Sequence, residues 1–182
     1  MTRSASIAAA LVGLAAAAAA TPGLAADPPT AGPLSVDGFY SGVWYEQART
    51  PTSLTRGCEY ATTTYGRTER GEIAVTDACR QNGPDGRLRS ISGVGTLQDP
   101  GQNAELAVRY LFGPFRPKRT YRVIAHAPDG RWFISAEPGF EKIYMFSRTT
   151  VMPVPEIEAE IAKVRALGYA GEVEILATPG RP

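Results

Sequence analysis

The chain is poor in the residues from which metal and nucleophile sites are usually built: one histidine, two cysteines and three methionines in 182 residues. A lone histidine excludes paired-histidine metal sites, and no Gly-x-Ser-x-Gly, His-Glu-x-x-His or Cys-x-x-Cys pattern occurs. A charge surplus is missing as well. With 19 Lys and Arg against 18 Asp and Glu, the chain offers a polyelectrolyte such as nucleic acid no bulk attraction. The one sustained apolar run, Ile7 to Ala20, is about fourteen residues of mostly small side chains, short of the ~20 that a bilayer-spanning helix needs. It follows Arg3 and leads into Thr21-Pro22-Gly23-Leu24-Ala25-Ala26, so residues 1–26 read as a secretory signal peptide. Removing them leaves 18 charges of each sign. No cysteine follows the run where lipid attachment would need one, so the product is expected to be exported and soluble, periplasmic or secreted. The proline-rich residues 27–35 read as a flexible lead-in, and residues 36–178 as one domain.

What is present is mostly strand. In an oxidising compartment Cys58 and Cys79 are expected to pair rather than to act as nucleophiles or metal ligands. A hairpin turning near Thr68 and Glu69 sets them opposite each other, and closing a loop of about twenty residues is worth roughly 3 kcal/mol in the chain-entropy estimate. Eight β-rich runs, each bounded by Gly, Pro, Asn or Asp, recur along the chain: Val43 to Arg49, Glu59 to Tyr65, Glu72 to Cys79, Leu88 to Leu97, Ala104 to Phe112, Thr120 to Ala125, Trp132 to Ala136 and Lys142 to Arg148. Eight sequential antiparallel strands leave two open edges unless the first pairs with the last, so an all-β, up-and-down antiparallel barrel is expected. Pro153 and Pro155 then introduce a helix whose Ile157, Ile161, Val164 and Leu167 form one apolar stripe, ending at Gly168. That stripe must pack on the outside of the barrel, and the alternating Glu172 to Ala177 suggests a short final strand.

These residues resemble a known family. Gly42-Val43-Trp44-Tyr45-Glu46 is similar to the Gly-x-Trp signature that opens the first strand of lipocalins, and Phe146-Ser147-Arg148-Thr149 to the arginine signature that closes their eighth. The run Gly42 to Arg49, the turn Phe112-Gly113-Pro114-Phe115, Tyr121 to Ala125 and the helix end Arg165-Ala166-Leu167-Gly168-Tyr169 look like the bacterial outer-membrane branch. The resemblance covers about residues 36 to 178. A second family signature is displaced: its usual aspartate and tyrosine positions hold Ala127 and Gly130, while Asp129-Gly130-Arg131-Trp132 keeps the spacing two residues later. In an up-and-down barrel Trp44 and Arg148 meet at one end, where a guanidinium over an indole contributes roughly 0.5 to 2 kcal/mol. Gly42 gives the backbone room beside the ring, and all three are read as structural.

An eight-stranded barrel has room inside for side chains or one small ligand. Strand parity turns Leu97, Val108, Tyr110, Phe112, Tyr121, Val123, Lys142, Tyr144 and Phe146 inward as the expected ligand-binding set, Tyr144 matching an aromatic of the bacterial lipocalin lipid pocket. Gly93 and Gly95 are expected to leave space among them. Such a lining suits a fatty acid or a lysophospholipid, as the resemblance also implies. The loops at the far end from Trp44 carry eight basic residues, Arg49, Arg56, Arg80, Arg87, Arg89, Arg116, Lys118 and Arg119, against Asp85, Glu137 and Glu141. Arg56, Arg116, Lys118 and Arg119 are therefore candidates to receive an anionic headgroup or to touch an anionic membrane.

Two other function classes compete. A lipid- or isoprenoid-modifying enzyme would use a carboxylate such as Glu46, and a ligand-free envelope protein would act through exposed Tyr40, Tyr45, Phe115 and Phe140. His126, near a strand end, reads as a turn residue, and Gly93-Val94-Gly95 breaks the dinucleotide pattern at Thr96-Leu97-Gln98. No cofactor, metal or nucleic-acid partner is expected, nor enzymatic activity, and oligomeric state is not readable.

Overall fold

A computed structural model describes residues 26–83 and 85–176. The expected signal peptide up to residue 25 and the end of the expected final strand, from Ala177 on, lie outside these residues. Eight strands follow one another around a closed barrel: β1 (Gly42–Arg49), β2 (Cys58–Arg67), β3 (Ile73–Gln81), β4 (Leu88–Leu97), β5 (Glu105–Tyr110), β6 (Lys118–His126), β7 (Trp132–Ala136) and β8 (Ile143–Ser147). Every neighbour is antiparallel, and β1 pairs with both β2 and β8, so the sheet has no free edge at the seam. A one-turn helix, α1 (Val36–Phe39), precedes β1. Helix α2 (Val154–Ala166) follows β8, and a two-residue strand, β9 (Glu174–Ile175), adds to the end of β1. The eight expected strands, the outer helix and the final strand are all present. We call the end at the start of β1 the base and the opposite end the mouth.

The apolar residues fall into two clusters. Alternate residues of β3, β5, β6, β7 and β8 point inward and join Trp44, Phe39, Tyr40 and Leu34 in the first. The other face of β6, β7 and β8 packs with Ala48 against Ile157, Ile161 and Val164 of α2 in the second. The helix stripe stops one residue earlier than expected: Leu167 caps the helix and is exposed, and Tyr169 takes its place in the outer cluster. A β-bulge at Gln47 divides β1. Trp44 and Glu46 face inward, but beyond the bulge Ala48 lies outside and Arg49 turns in, a re-aiming that a single extra residue produces. The Gln47 amide then holds the chain leaving β8, donating to the Thr149 and Thr150 carbonyls and accepting from the Met152 N–H.

Four expectations need correction. Cys58 and Cys79 are bonded, with Cα atoms 5.5 Å apart, but they are not directly opposite. The β2–β3 turn spans residues 68–72, so Cys79 faces Ala61, and a bulge between Cys58 and Tyr60 sets Cys58 opposite Gln81. The fifth strand ends at Tyr110, because Leu111 donates to Ser92 and Phe112 turns into a bridge with Phe115. Residues 27–35 are not a free lead-in. Pro28 and Leu34 are buried, Ala31 donates to the Val123 carbonyl and Leu34 to that of Gln102, and Asp27 pairs with Arg122 at 3.1 Å. The segment straps the barrel from β6 down to the base. Finally, Gly93 and Gly95 leave no space: a Cβ on either would lie within 3 Å of Val108 or Leu106, whose side chains lean over the glycines from β5.

Candidate ligand site in the barrel

At the base the packing is tight. The Trp44 indole is 1 % exposed, its ring centroid 4.7 Å from that of Phe133 and 5.3 Å from that of Phe39. Its Nε1–H donates to the Phe39 carbonyl at 3.1 Å, which ties α1 beneath it. The Arg148 guanidinium stands 3.6 Å above the indole and donates to the carbonyls of Ser41, Val43, Gly38 and Phe39. Gly42, at φ 65°, adopts a left-handed backbone beside Arg148 that other residues rarely take. Tyr40 is not an exposed anchor: it is buried here, and its hydroxyl donates to the Asn103 carbonyl. Phe39 and Tyr40 were missed as base-sealing residues because they lie before the first strand, where no alternation marks them.

Above this floor the interior changes character. Val108, Tyr110, Val123 and Phe146 are buried inward, and Leu97, Tyr121 and Tyr144 pack against the same cluster. Phe112 does not join them; it is 64 % exposed in the turn after β5. Lys142 sits at the mouth, donating to Glu137 at 3.0 Å, and Tyr144 donates to the other oxygen of that carboxylate at 2.8 Å. Asp77, in phase with Ile73 and Val75, also faces inward. One of its oxygens accepts from Thr63 at 2.7 Å and the other from the Tyr110 hydroxyl at 2.6 Å. The single Tyr110 hydroxyl proton is engaged in the hydrogen bond to Asp77, so in the 3.0 Å contact between the two phenols Tyr121 is the donor. Burial raises the Asp77 carboxyl above the usual range, against the lowering effect of these two hydrogen bonds. Tyr65, Asp77, Ile91, Tyr121 and Tyr144 face the axis yet retain accessible surface.

Glu46 and Arg49 form a second polar group inside. They pair at 3.0 Å, and Arg49 also donates to Glu174 of β9 at 2.6 Å and to the Thr55 and Cys58 carbonyls. Arg49 is therefore buried, not a mouth charge as its loop position suggests. Burial pushes the Glu46 carboxyl up to about 7, the Arg49 guanidinium opposing. Arg56 and Arg116 are exposed on the mouth loops, and Lys118 and Arg119, which the sequence placed in a loop, are exposed at the mouth end of β6. Among the described residues, five of the seven exposed large apolar side chains, Leu54, Leu88, Leu111, Phe112 and Phe115, lie at that same end. Asp77, Tyr65 and Thr63 escaped the sequence reading, which counted Glu137 only as a mouth-loop charge, although parity counted from Val75 would have turned Asp77 inward.

The model of the lipocalin-like domain family matches residues 38–177, most of the chain and all eight barrel strands. The chain belongs to the lipocalin family. A protein of Acanthamoeba polyphaga mimivirus named as a lipocalin is 29 % identical over 113 residues, a match covering 53 % of this chain and 63 % of that protein. Insecticyanin from the tobacco hornworm Manduca sexta has the same fold at a TM-score of 0.67 and 15 % identity, over 86 % of this chain and 87 % of that one. Lobster apocrustacyanin A1 overlays at 0.56 with 14 % identity, over 86 % and 92 %. A biogenic amine-binding protein does so at 0.56 with 14 % identity, over 75 % and 79 %. At these identities the structures speak for the fold alone.

In this lipocalin the displaced second signature is a working turn. Asp129 accepts from the Arg131 N–H at 3.1 Å, Gly130 takes φ 72°, and Arg131 reaches Glu156 of α2 at 2.7 Å, so the turn fastens the helix to the barrel. An open cleft of about 660 Å³ lies beside it, outside the barrel, with His126 and Trp132 on its walls. It holds none of the inward residues. Among the described residues no group of three or more His, Cys, Asp or Glu is placed to hold a metal ion, and no helix is long and apolar enough to cross a membrane.

Proposed function

We propose that this lipocalin is an exported carrier of a small single-chain amphiphile, held in the mouth-side half of the barrel. The supporting observation is the layered interior: an apolar floor of Val75, Val108, Val123 and Phe146, and above it inward side chains that keep accessible surface. A closed sheet alone does not require such surface, since a barrel filled for stability would cover it. Of the two expected ligands, a lysophospholipid fits better than a fatty acid, because a free carboxylate inside would face Asp77, Glu46 and Glu137. Val108, Tyr110, Tyr121, Val123, Tyr144, Phe146 and Lys142 line or border this space; Leu97, at the base end of β4, lies below it, and Phe112 belongs with the rim.

The rim supports a surface role at the same end. Arg119 stands two residues towards the mouth from Tyr121 on one face of β6, ~6–7 Å along the strand, where it would meet a phosphate. Together with Arg56, Arg116 and Lys118 and the exposed Leu54, Leu88, Leu111, Phe112 and Phe115, it forms a cationic, apolar rim of the kind that docks on anionic lipid surfaces. The disulfide, the apolar run ahead of residue 26 and the signature residues fit export and membership of the bacterial outer-membrane branch. Glu46 is the group an enzyme would use; its fixed pair with Arg49 suits a structural tie between β1, β9 and the 50–57 loop better than a proton shuttle.

The test is extraction of the purified protein with organic solvent and mass spectrometry of the extract. Recovery of near-stoichiometric single-chain lipid supports the carrier, and an empty barrel that also refuses alkyl-chain probes rejects it. Affinity for an anionic lipid that is equal at low and high salt, and untouched by Arg116→Ala with Arg119→Ala, rejects the rim's role.

A further inference from the structure

We propose that the mouth-side half of the barrel is a seat for a positively charged nitrogen, so that the ligand carries an amine or ammonium group beside its apolar part. The inference rests on the carrier reading above and adds the sign of the ligand's charge.

The first ground is the pairing of the inward charges. Three carboxylates, Glu46, Asp77 and Glu137, share the interior with two cations, Arg49 and Lys142, and a third, Arg119, stands exposed at the rim on the face of Tyr121. Arg49 is taken up by Glu46 and Glu174, and Lys142 by Glu137 and Glu141. Asp77 has no cation among the described residues; both its oxygens are held by hydroxyls, of Thr63 and Tyr110. It is the one inward acid left to be neutralised by something that enters.

The second ground is a phenol on the base side of that acid. Tyr65 keeps accessible surface, its ring stands 5.3 Å from that of Tyr40 at the base side of Asp77, and its hydroxyl, within range of Asp77, Tyr40, Tyr121 and the Arg148 charge, makes no hydrogen bond among the described residues. An inward phenol whose hydroxyl is not engaged is free to meet a ligand group. An N–H donor placed between it and Asp77 would give one hydrogen bond to the Tyr65 oxygen and one to the carboxylate.

The third ground is the wall. Tyr110, Tyr121 and Tyr144 follow one another inside: the Tyr110 and Tyr121 hydroxyls meet at 3.0 Å, and the Tyr121 and Tyr144 rings stand edge to face at 5.9 Å. Aromatic faces attract a cation and do nothing for a carboxylate. Beneath Asp77 on the same strand face, Val75 meets Val108 and Phe146 and offers an apolar floor to the rest of the ligand. Carboxylate, phenols and hydrocarbon in this order suit an alkylammonium and penalise a fatty acid anion.

The experiment compares octylammonium, octanol and octanoate, equal in chain length, by isothermal titration calorimetry on the purified protein at pH 7. Octylammonium is expected to bind at least tenfold tighter than octanoate and measurably tighter than octanol. Asp77→Asn should remove at least tenfold of the octylammonium affinity and leave octanol within twofold. Where Asp77→Asn fails to fold, judged by its thermal melt, Tyr65→Phe carries the same test, with a several-fold loss for octylammonium alone. Octanoate binding as tightly as octylammonium, or unchanged octylammonium affinity in the folded variant, overturns the proposal. If octanol binds and the cation is not preferred, the charge assignment falls and the carrier stands; if none of the three binds, both fall.

Discussion

The inner and outer clusters are built on opposite faces of the same strands, yet they are made of different chemistry. Under α2, Ile134, Ile143, Met145, Ile157, Ile161 and Val164 form an aliphatic layer with few polar atoms, closed by a helix. Inside the barrel, rings dominate, and three carboxylates and a buried arginine stand among them. A layer whose task is only to hold two elements together has no use for buried acids, since each costs desolvation unless it is paired. The contrast therefore separates two kinds of layer: the outer cluster stabilises, and the mouth-side half of the inner one holds the polar groups on which the proposed carrier role rests.

Substitutions can break that contrast. The largest loss is expected from Trp44→Ala, roughly 3–5 kcal/mol, because it empties the base and removes the surface under Arg148; urea unfolding reads it. Ile157→Ala should cost about 2–4 kcal/mol by loosening α2 while leaving alkyl-chain binding unchanged. If it weakens binding as much as inner substitutions do, the two clusters are not separate in function. Opening the disulfide, by Cys58→Ser with Cys79→Ser, should cost roughly 3 kcal/mol in the same assay. Arg148→Gln should cost about 1–2 kcal/mol, through the lost cation–π contact and carbonyl hydrogen bonds, again with binding intact.

The last test is a pH slope. Glu46 keeps its proton to a higher pH in the folded chain, about 7, than in the unfolded one, near 4.5. Its stabilising contribution is therefore complete below pH 4.5 and is lost as pH rises through 7, so the sign of the slope is negative between them. Glu46→Gln should flatten that decline in unfolding free energy. An unchanged slope would place the titration elsewhere.

Most of the barrel was legible because it repeats. Eight alternating runs, a helical stripe and two signature ends leave one sensible closure, and Val108, Tyr110, Tyr121, Val123, Tyr144 and Phe146 fell on the inner face by parity. What parity could not give came from single-residue events. The bulge at Gln47 turned Arg49 inward, because one extra residue inverts every side chain after it. The early end of β5 put Phe112 on the rim. Gly93 and Gly95 looked like gaps because a strand read alone does not show the neighbour that leans over it. The strap at 27–35 has no periodicity at all; its order comes from tertiary contacts of Pro28, Ala31 and Leu34.

Strand β1 has one further implication. It joins β2 near one end and β8 near the other, so the ring shuts only once a partner about a hundred residues downstream is available. On a chain emerging amino end first, β1 waits with one flank bare while the β2–β3 hairpin is already whole and free to oxidise. Contacts this distant in sequence form slowly. The hazard during biogenesis is therefore concentrated at one exposed flank late in synthesis, where a helper that shields a single strand would have the most to do.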